Sequence, residues 1–281
     1  MTEVSYSLNY RLQSTLFNPV MLLSKKSKLE VFLEVTEKFK PVFRYFFIEN
    51  FLTQNEWYQK RLNYTKSVAT SSIVGYIVGL GDRHVQNILI DTNSADVVHI
   101  DLGIAFDQGK ILPIPETVPF RLTRDVIDGF GICGIEGIFK NCCEATLKLL
   151  KNSREQIITI FEVLLYDPLH NWCLSPAKAF MMQQASVFNE QSQAEVNESS
   201  MISTFNSSTF SGKPNSTQQS LTKTAEKNKI AERILFQIKQ KLLGYENGTQ
   251  LSTDGQVNYL INEATNPENL CKIYVGWQPY L

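Results

Sequence analysis

Two short runs, Asn87-Ile88-Leu89-Ile90-Asp91 and Val97-Val98-His99-Ile100-Asp101, flank a polar stretch from Thr92 to Asp96. Strands this short and this close together pair as an antiparallel hairpin. The chain enters the hairpin from a long helical pattern. Asn55 is placed to cap a helix that begins at Glu56 and continues through Trp57, Leu62, Val68, Ile73 and Ile77, and Gly79 and Gly81 stop it. Ser and Ala along that helix let neighbours approach closely, which places it at the centre of an α-helical lobe.

The loop between helix and hairpin holds the residues with chemistry. If 91 pairs with 97 and 89 with 99, Asn87 faces Asp101 at the open end of the hairpin. Directly opposed residues lie roughly 4.5–5.5 Å apart at Cα and project to one face. A carboxamide and a carboxylate then converge, offering oxygen ligands of the kind magnesium takes while leaving positions for water and phosphate. Asp82, five residues before Asn87, is placed to accept or orient the proton of an attacking hydroxyl. His84 can donate to a transferred phosphoryl group or to Asp82. Arg83 is expected to anchor the loop through a carboxylate and to do no chemistry. His99 is expected to be a structural strand residue.

On either side the pattern is helical. Residues 28–52 begin with a helix whose face holds Leu29, Phe32, Leu33 and Phe39, Pro41 breaks it, and the run Val42 to Phe47 is expected to be buried. Gly103, Gly109, Pro113, Pro115 and Pro119 forbid a long helix in 103–123. Helical pattern returns from Val126 to Phe180. Residues 183–224 are dominated by Ser, Thr, Asn and Gln, which bury too little to offset ordering entropy, so a disordered insertion is expected there. A helix over 225–243 then presents Ala231, Leu235, Ile238 and Leu242 on one face and ends at Gly244. A shorter one presents Val257, Leu260, Ile261 and Ala264, and the aromatic end Tyr274, Trp277, Tyr280 is expected to pack back onto the body.

With 27 basic against 28 acidic residues, nothing points to nucleic acid or an anionic membrane surface. The most apolar stretch, Ser72 to Leu80, is far short of the about 20 residues a bilayer requires, so the chain reads as soluble. The five cysteines show no metal-ligand spacing, and adjacent Cys142 and Cys143 read as packing residues in a reducing compartment.

The sequence Gly-Asp-Arg-His-x-x-Asn at 81–87 followed by Asp-Leu-Gly at 101–103 resembles the catalytic loop and metal-binding motif of the phosphatidylinositol 3-kinase-related protein kinases. The longer runs from Thr70 to Asp91, from His99 to Asp125 and from Val257 to Leu281 are similar to the same family, the last to its FATC tail. The resemblance implies a mainly α (α+β) fold, the C-terminal lobe of a kinase built around a small catalytic β-hairpin. It divides the chain into a non-matching segment 1–27, a lobe 28–182 with catalytic loop 79–87 and activation segment 101–125, the polar insertion 183–224, a helix 225–248 and the FATC tail 249–281. It assigns Asp82 and His84 to catalysis, Asn87 and Asp101 to the metal, and Leu89 and Ile100 to the floor of the adenine site; the register above supports Leu89 alone. It implies ATP and Mg2+ as cofactors, protein substrates with Ser or Thr before Gln, a nuclear setting in DNA-damage signalling, a homodimer in the full-length protein and DNA-break sensor proteins as partners. Only 27 residues precede the helical lobe, too few for the β-rich N-terminal lobe that clamps ATP, so that lobe is expected to be missing and the chain to be inactive alone. Two rivals stand beside this reading. A phosphoinositide kinase shares the loop, but residues 102–120 hold one basic residue, Lys110, where a lipid headgroup would call for several. A non-catalytic scaffold would use the helical lobe and tail as binding surfaces.

Overall fold

The computed structural model describes residues 26–166 and 216–280, with side chains of 216–228 left out of that description. The expectations for 1–25 and for most of the polar insertion therefore lie outside the described residues.

The fold is mainly helical. Helix α1 (Lys28–Lys38) starts in a reciprocal cap, in which the Ser27 hydroxyl accepts from the Glu30 amide and the Glu30 carboxylate accepts from the Ser27 amide. It buries Val31, Phe32 and Val35, while Leu33 is exposed, so the apolar face is turned from the one expected. Helix α2 (Arg44–Asn50) follows. Of the run expected to be buried, Phe47 is buried, Phe43 and Phe46 are partly so, and Val42 and Tyr45 are exposed, because a two-turn helix shows the core only one side.

Helix α3 (Gln54–Val78) is the axis of the lobe. Its cap is Thr53, whose hydroxyl accepts from the Glu56 amide, and not Asn55. The Thr-x-x-Glu spacing is the stronger start signal because it supplies both the capping oxygen and an acid in the first turn. Midway, Ala69 and Ser72 keep the surface of α3 low, and α5 (Ile138–Asn152) lies against it with Phe139, Cys143 and Leu147, spaced four apart and fully buried. Cys142 and Cys143 are free thiols, as packing residues should be. Helix α4 (Arg124–Asp128) precedes α5, and α6 (Arg154–Tyr166) follows it.

Helix α7 (Ser216–Leu243) begins nine residues before the expected 225. It buries Ala231, Leu235, Ile238 and Leu242 as expected, and Ile234 besides. Gly244 ends it at φ 87°, and a tight hairpin, β3 (Tyr245–Glu246) with β4 (Thr249–Gln250), leads to α8 (Thr253–Thr265). There Val257, Leu260, Ile261 and Ala264 are all buried. After α9 (Pro267–Leu270) the tail does pack back. Leu270, Ile273, Trp277 and Tyr280 join Val31, Phe32 and Val35 of α1 in a second apolar core.

The central hairpin pairs β1 (Ile88–Ile90) with β2 (Val97–His99), matching Ile88 to His99, Leu89 to Val98 and Ile90 to Val97. This is one residue off the expected register. The turn sets it: the Asp91 amide donates to Asp96 O, the Ala95 amide donates back to Asp91 O, and Ala95 takes φ 62°. The Asp91 carboxylate adds bonds from the Asn93 and Ser94 amides. Asn87 consequently pairs with Ile100, whose amide donates to Asn87 O at 3.0 Å, and not with Asp101.

Candidate active site

The site begins where α3 stops. Gly79 takes φ 69°, and a Cβ there would lie 2.4 Å from the Asp107 backbone nitrogen, which donates to Gly79 O. The Gly81 amide donates to Ile104 O, so the segment after the hairpin is laid along the loop before it.

An irregular loop leaves carbonyls that no helix or sheet satisfies. Arg83, 2% exposed, donates to three such carbonyls, Gly81 O, Ile100 O and Asp101 O, and adds a bond to Asn87 O, which already accepts from the Ile100 amide. It anchors through main chain, not through the carboxylate expected, and the fixed fork of a guanidinium suits that task where an ammonium would not. By gripping Asn87, Ile100 and Asp101 at once it gathers the base of the hairpin around one point.

Around that point the side chains are arranged as follows. Asp82 sits at φ 57° with its carboxylate 3.8 Å from His84 Nε2. His84 Nδ1 accepts from the Gln86 amide, so in the neutral ring the proton is on Nε2, facing Asp82. Burial pushes the Asp82 carboxyl up against the opposing charges of His84 and Arg83, and Asp101 pushes the same way as burial. Burial likewise pushes His84 down, with Asp82 opposing. The downward shift favours the neutral His84 ring, whose Nε2–H faces the Asp82 carboxyl across a short gap. Asn87 is buried, and its Nδ2 donates to Asp82 O at 2.9 Å. Asp101 is exposed at φ 51°, with Oδ1 accepting from the Gly103 amide.

The shifted register has a consequence for the outer face. Leu89, Val98 and Ile100 now project from the same side as Asn87 and are 49%, 49% and 40% exposed, an open apolar shelf beside the polar cluster. Under the expected register Ile100 pointed away from Leu89. His99, on the other side, is driven by burial and by Arg83 down to about 4, and stays neutral as a structural residue.

Asn87 Oδ1 and Asp101 Oδ2 carry no hydrogen bond among the described residues, so each has an oxygen to offer a hard cation. Among those residues no group of three or more His, Cys, Asp and Glu side chains could hold a metal alone. The register no longer sets the two directly opposite each other, so each offers its oxygen separately, of the kind magnesium takes alongside phosphate and water.

Sequence reasoning missed three residues that shape this site. Glu116 donates its amide to Gly109 O and accepts the Asp82 amide on its carboxylate. Arg121 joins Arg83 O to Trp277 O and Gln278 O, and Arg124 joins Tyr280 O to Thr36 O and Phe39 O. Their one local signal is charge in a stretch otherwise rich in proline and apolar residues.

Against this geometry, residues 4–174 match the family described as phosphatidylinositol 3- and 4-kinase. The chain belongs to that family. Residues 250–281 match the FATC domain. The kinase-family match starts at residue 4 and so takes in most of the segment 1–27 that the motifs left outside. Among curated relatives, the serine-protein kinase ATM of Sus scrofa is 52% identical over 259 residues, and the serine/threonine-protein kinase ATM of Arabidopsis thaliana is 46% identical over 258. Each comparison covers 92% of this chain, which spans only 8% and 6% of those relatives' length. The solved FAT and kinase domain of CtTel1 superposes with a TM-score of 0.74 at 38% identity, covering 96% of this chain and 16% of that one. A structure described as the complete CtTel1 dimer with C2 symmetry superposes with the same TM-score, and there this chain covers 8%. This member of the family thus has the mainly α architecture of a kinase C-terminal lobe. Among its described residues no helix is long and apolar enough to cross a membrane.

Proposed function

We propose that this chain supplies the catalytic loop, metal ligands and activation segment of a serine/threonine protein kinase that transfers the γ-phosphate of ATP. The observation that carries the reading is the Asp82 carboxylate 3.8 Å from His84 Nε2, beside the hairpin base where Asn87 and Asp101 each keep an oxygen without a hydrogen bond among the described residues. Asp82 accepts or orients the proton of the substrate hydroxyl, and its raised basicity favours that role. His84 donates from Nε2 to the phosphoryl group as negative charge shifts in the transition state. Asn87 and Asp101 hold magnesium. When bound, the ion neutralises charge on the phosphates. Leu89 and Ile100 form the apolar floor under the adenine, with Val98 completing the shelf.

The relatives' names speak of serine/threonine protein kinases, and the activation segment favours a protein over a lipid. Lys110, the one basic residue of 102–120, is held by Asp107 at 3.1 Å, leaving no free cation in that stretch to grip a headgroup phosphate. On the likeness to the ATM and Tel1 kinases, the proposal extends to Ser or Thr before Gln as the target, a nuclear role in DNA-damage signalling, partnership with DNA-break sensors and dimerisation of the longer protein. The test is phosphate transfer by this chain fused behind the N-terminal kinase lobe of the pig relative. Turnover of a Ser-Gln peptide, absent with a Ser-Ala peptide and with phosphatidylinositol vesicles and abolished by Asp101→Ala, is expected. Lipid turnover in place of peptide turnover would make it a phosphoinositide kinase. Inactivity of the fusion toward both would favour a scaffold.

A further inference from the structure

Glu116, between Pro115 and Pro119 in the activation segment, turns its side chain back onto the loop that carries Asp82. Its Oε1 accepts the Asp82 amide proton at 2.7 Å. Its other oxygen occupies room that only glycine leaves. A Cβ on Gly109 would lie 2.2 Å from Glu116 Oε2, and one on Gly81 would lie 2.6 Å from it. Two glycines from two different segments thus form a slot for one carboxylate. The residue that receives the bond is in an uncommon state as well. Asp82 is a non-glycine residue at φ 57°, a left-handed conformation that its surroundings must hold in place.

We propose that Glu116 is a positioning residue for phosphoryl transfer, fixing the Asp82 backbone in the left-handed conformation that sets its carboxylate against His84. The proposal rests on the kinase reading above and ties it to the activation segment: if residues 113–119 are drawn away, Asp82 loses the bond that holds it.

Burial pushes Glu116 up to about 7, with the hydrogen bond from Asp82 opposing and the Asp82 charge adding to the rise. The charged groups around it are Asp82 and Arg83 on the loop, Asp107 and Lys110 at the 3-10 turn, and Lys241, Glu246 and Glu263 across a cavity of about 310 Å³. An ionised carboxylate is the stronger acceptor for the Asp82 amide, so turnover rises as pH climbs through 7. Stability runs the other way. A carboxyl group whose folded pKa is raised binds its proton more tightly folded than unfolded, so the fold loses stability as pH rises from 4.5 toward about 7. Glu116→Gln removes that penalty, which gives the variant a signature that a merely structural residue would not have.

The experiment uses the same fusion protein. Glu116→Gln is expected to lower kcat about tenfold while leaving KM for ATP within about twofold, as loss of one charge-assisted bond to a catalytic backbone should. The rise of kcat through pH 7 disappears, the melting temperature at pH 8 does not fall, and amide exchange at Asp82 speeds up about tenfold in the absence of nucleotide. Gly109→Ala, which crowds the carboxylate, is expected to speed the same exchange, so the proposal stands open to test even if Glu116→Gln folds poorly. An active wild type with unchanged kcat, pH profile and Asp82 exchange in Glu116→Gln overturns this proposal alone. An inactive wild type overturns the kinase reading and this proposal with it.

Discussion

The loop 79–87 and the C-terminal tail 271–280 are built by the same device and put to opposite use. Both are irregular backbone, and in both a buried arginine donates to main-chain carbonyls: Arg83 to the loop and hairpin base, Arg121 to Trp277 O and Gln278 O. In the tail the side chains then sink. Trp277 and Tyr280 are 3% and 0% exposed against α1, and the Arg121 guanidinium lies 5.0 Å from the Trp277 ring. In the loop it is the anchor that sinks, and Asp82, His84 and Asp101 remain within reach of solvent. A guanidinium that satisfies the backbone relieves neighbouring side chains of that duty, so they are free either to pack or to do chemistry. The two regions also touch, because Arg121 reaches Arg83 O.

The contrast can be broken most directly by exchanging the readouts. Asp82→Asn should cut kcat by roughly 10²- to 10⁴-fold, the usual reach of a lost proton acceptor. Its melting temperature should stay near that of the wild type. A large drop in melting temperature would make Asp82 structural and erase the distinction. Trp277→Ala should do the reverse in the tail, costing about 3–5 kcal/mol of stability in chemical denaturation, as a buried aromatic does. Retention of full stability would mean that the tail does not hold the second core. Gly79→Ala sharpens the comparison at the joint between helix and loop. An alanine there is left-handed and its Cβ meets Asp107 backbone nitrogen at 2.4 Å, so a loss of at least about 1–2 kcal/mol, with a matching fall in activity, is expected. The smallest effect belongs to His99, on the packed side of the hairpin. Its folded pKa of about 4 lies below the ordinary 6.5, so the unfolded chain binds the extra proton and stability is lost as pH falls from 6.5 toward 4. His99→Gln should flatten the pH dependence of the melting temperature in that window, and an unchanged slope would contradict the burial of a neutral imidazole.

What the sequence disclosed, and what it hid, follows the range of the interactions. The buried face of α8, the stop at Gly79 and the hairpin are written in neighbouring residues, and each could be read from spacing or glycine placement, while the packing of the tail showed in its aromatic content but its partner did not. The loop motif was legible for the same reason: Asp82, His84 and Asn87 fall within six residues. The hairpin register was not, because it depends on how Asp91, Asp96 and Ala95 close the turn, and a one-residue change there moves Ile100 onto the face of Leu89. The buried face of α1 was misread because its partner is the tail, more than 200 positions away in sequence. Glu116, Arg121 and Arg124 were invisible for that reason too. Each acts on backbone carbonyls or amides supplied by a distant segment, and a carbonyl has no letter in the sequence.

The central claim is that Asn87 and Asp101 hold a divalent ion beside Asp82. Manganese(II) can stand in for magnesium, because its unpaired electrons broaden the resonances of nearby amides. In the fusion protein with ADP, broadening centred on residues 87 and 101–103 and lost on Asp101→Ala is the expected result. Broadening centred on the acidic cavity around Asp107 and Glu246, or a pattern indifferent to Asp101→Ala, would contradict it.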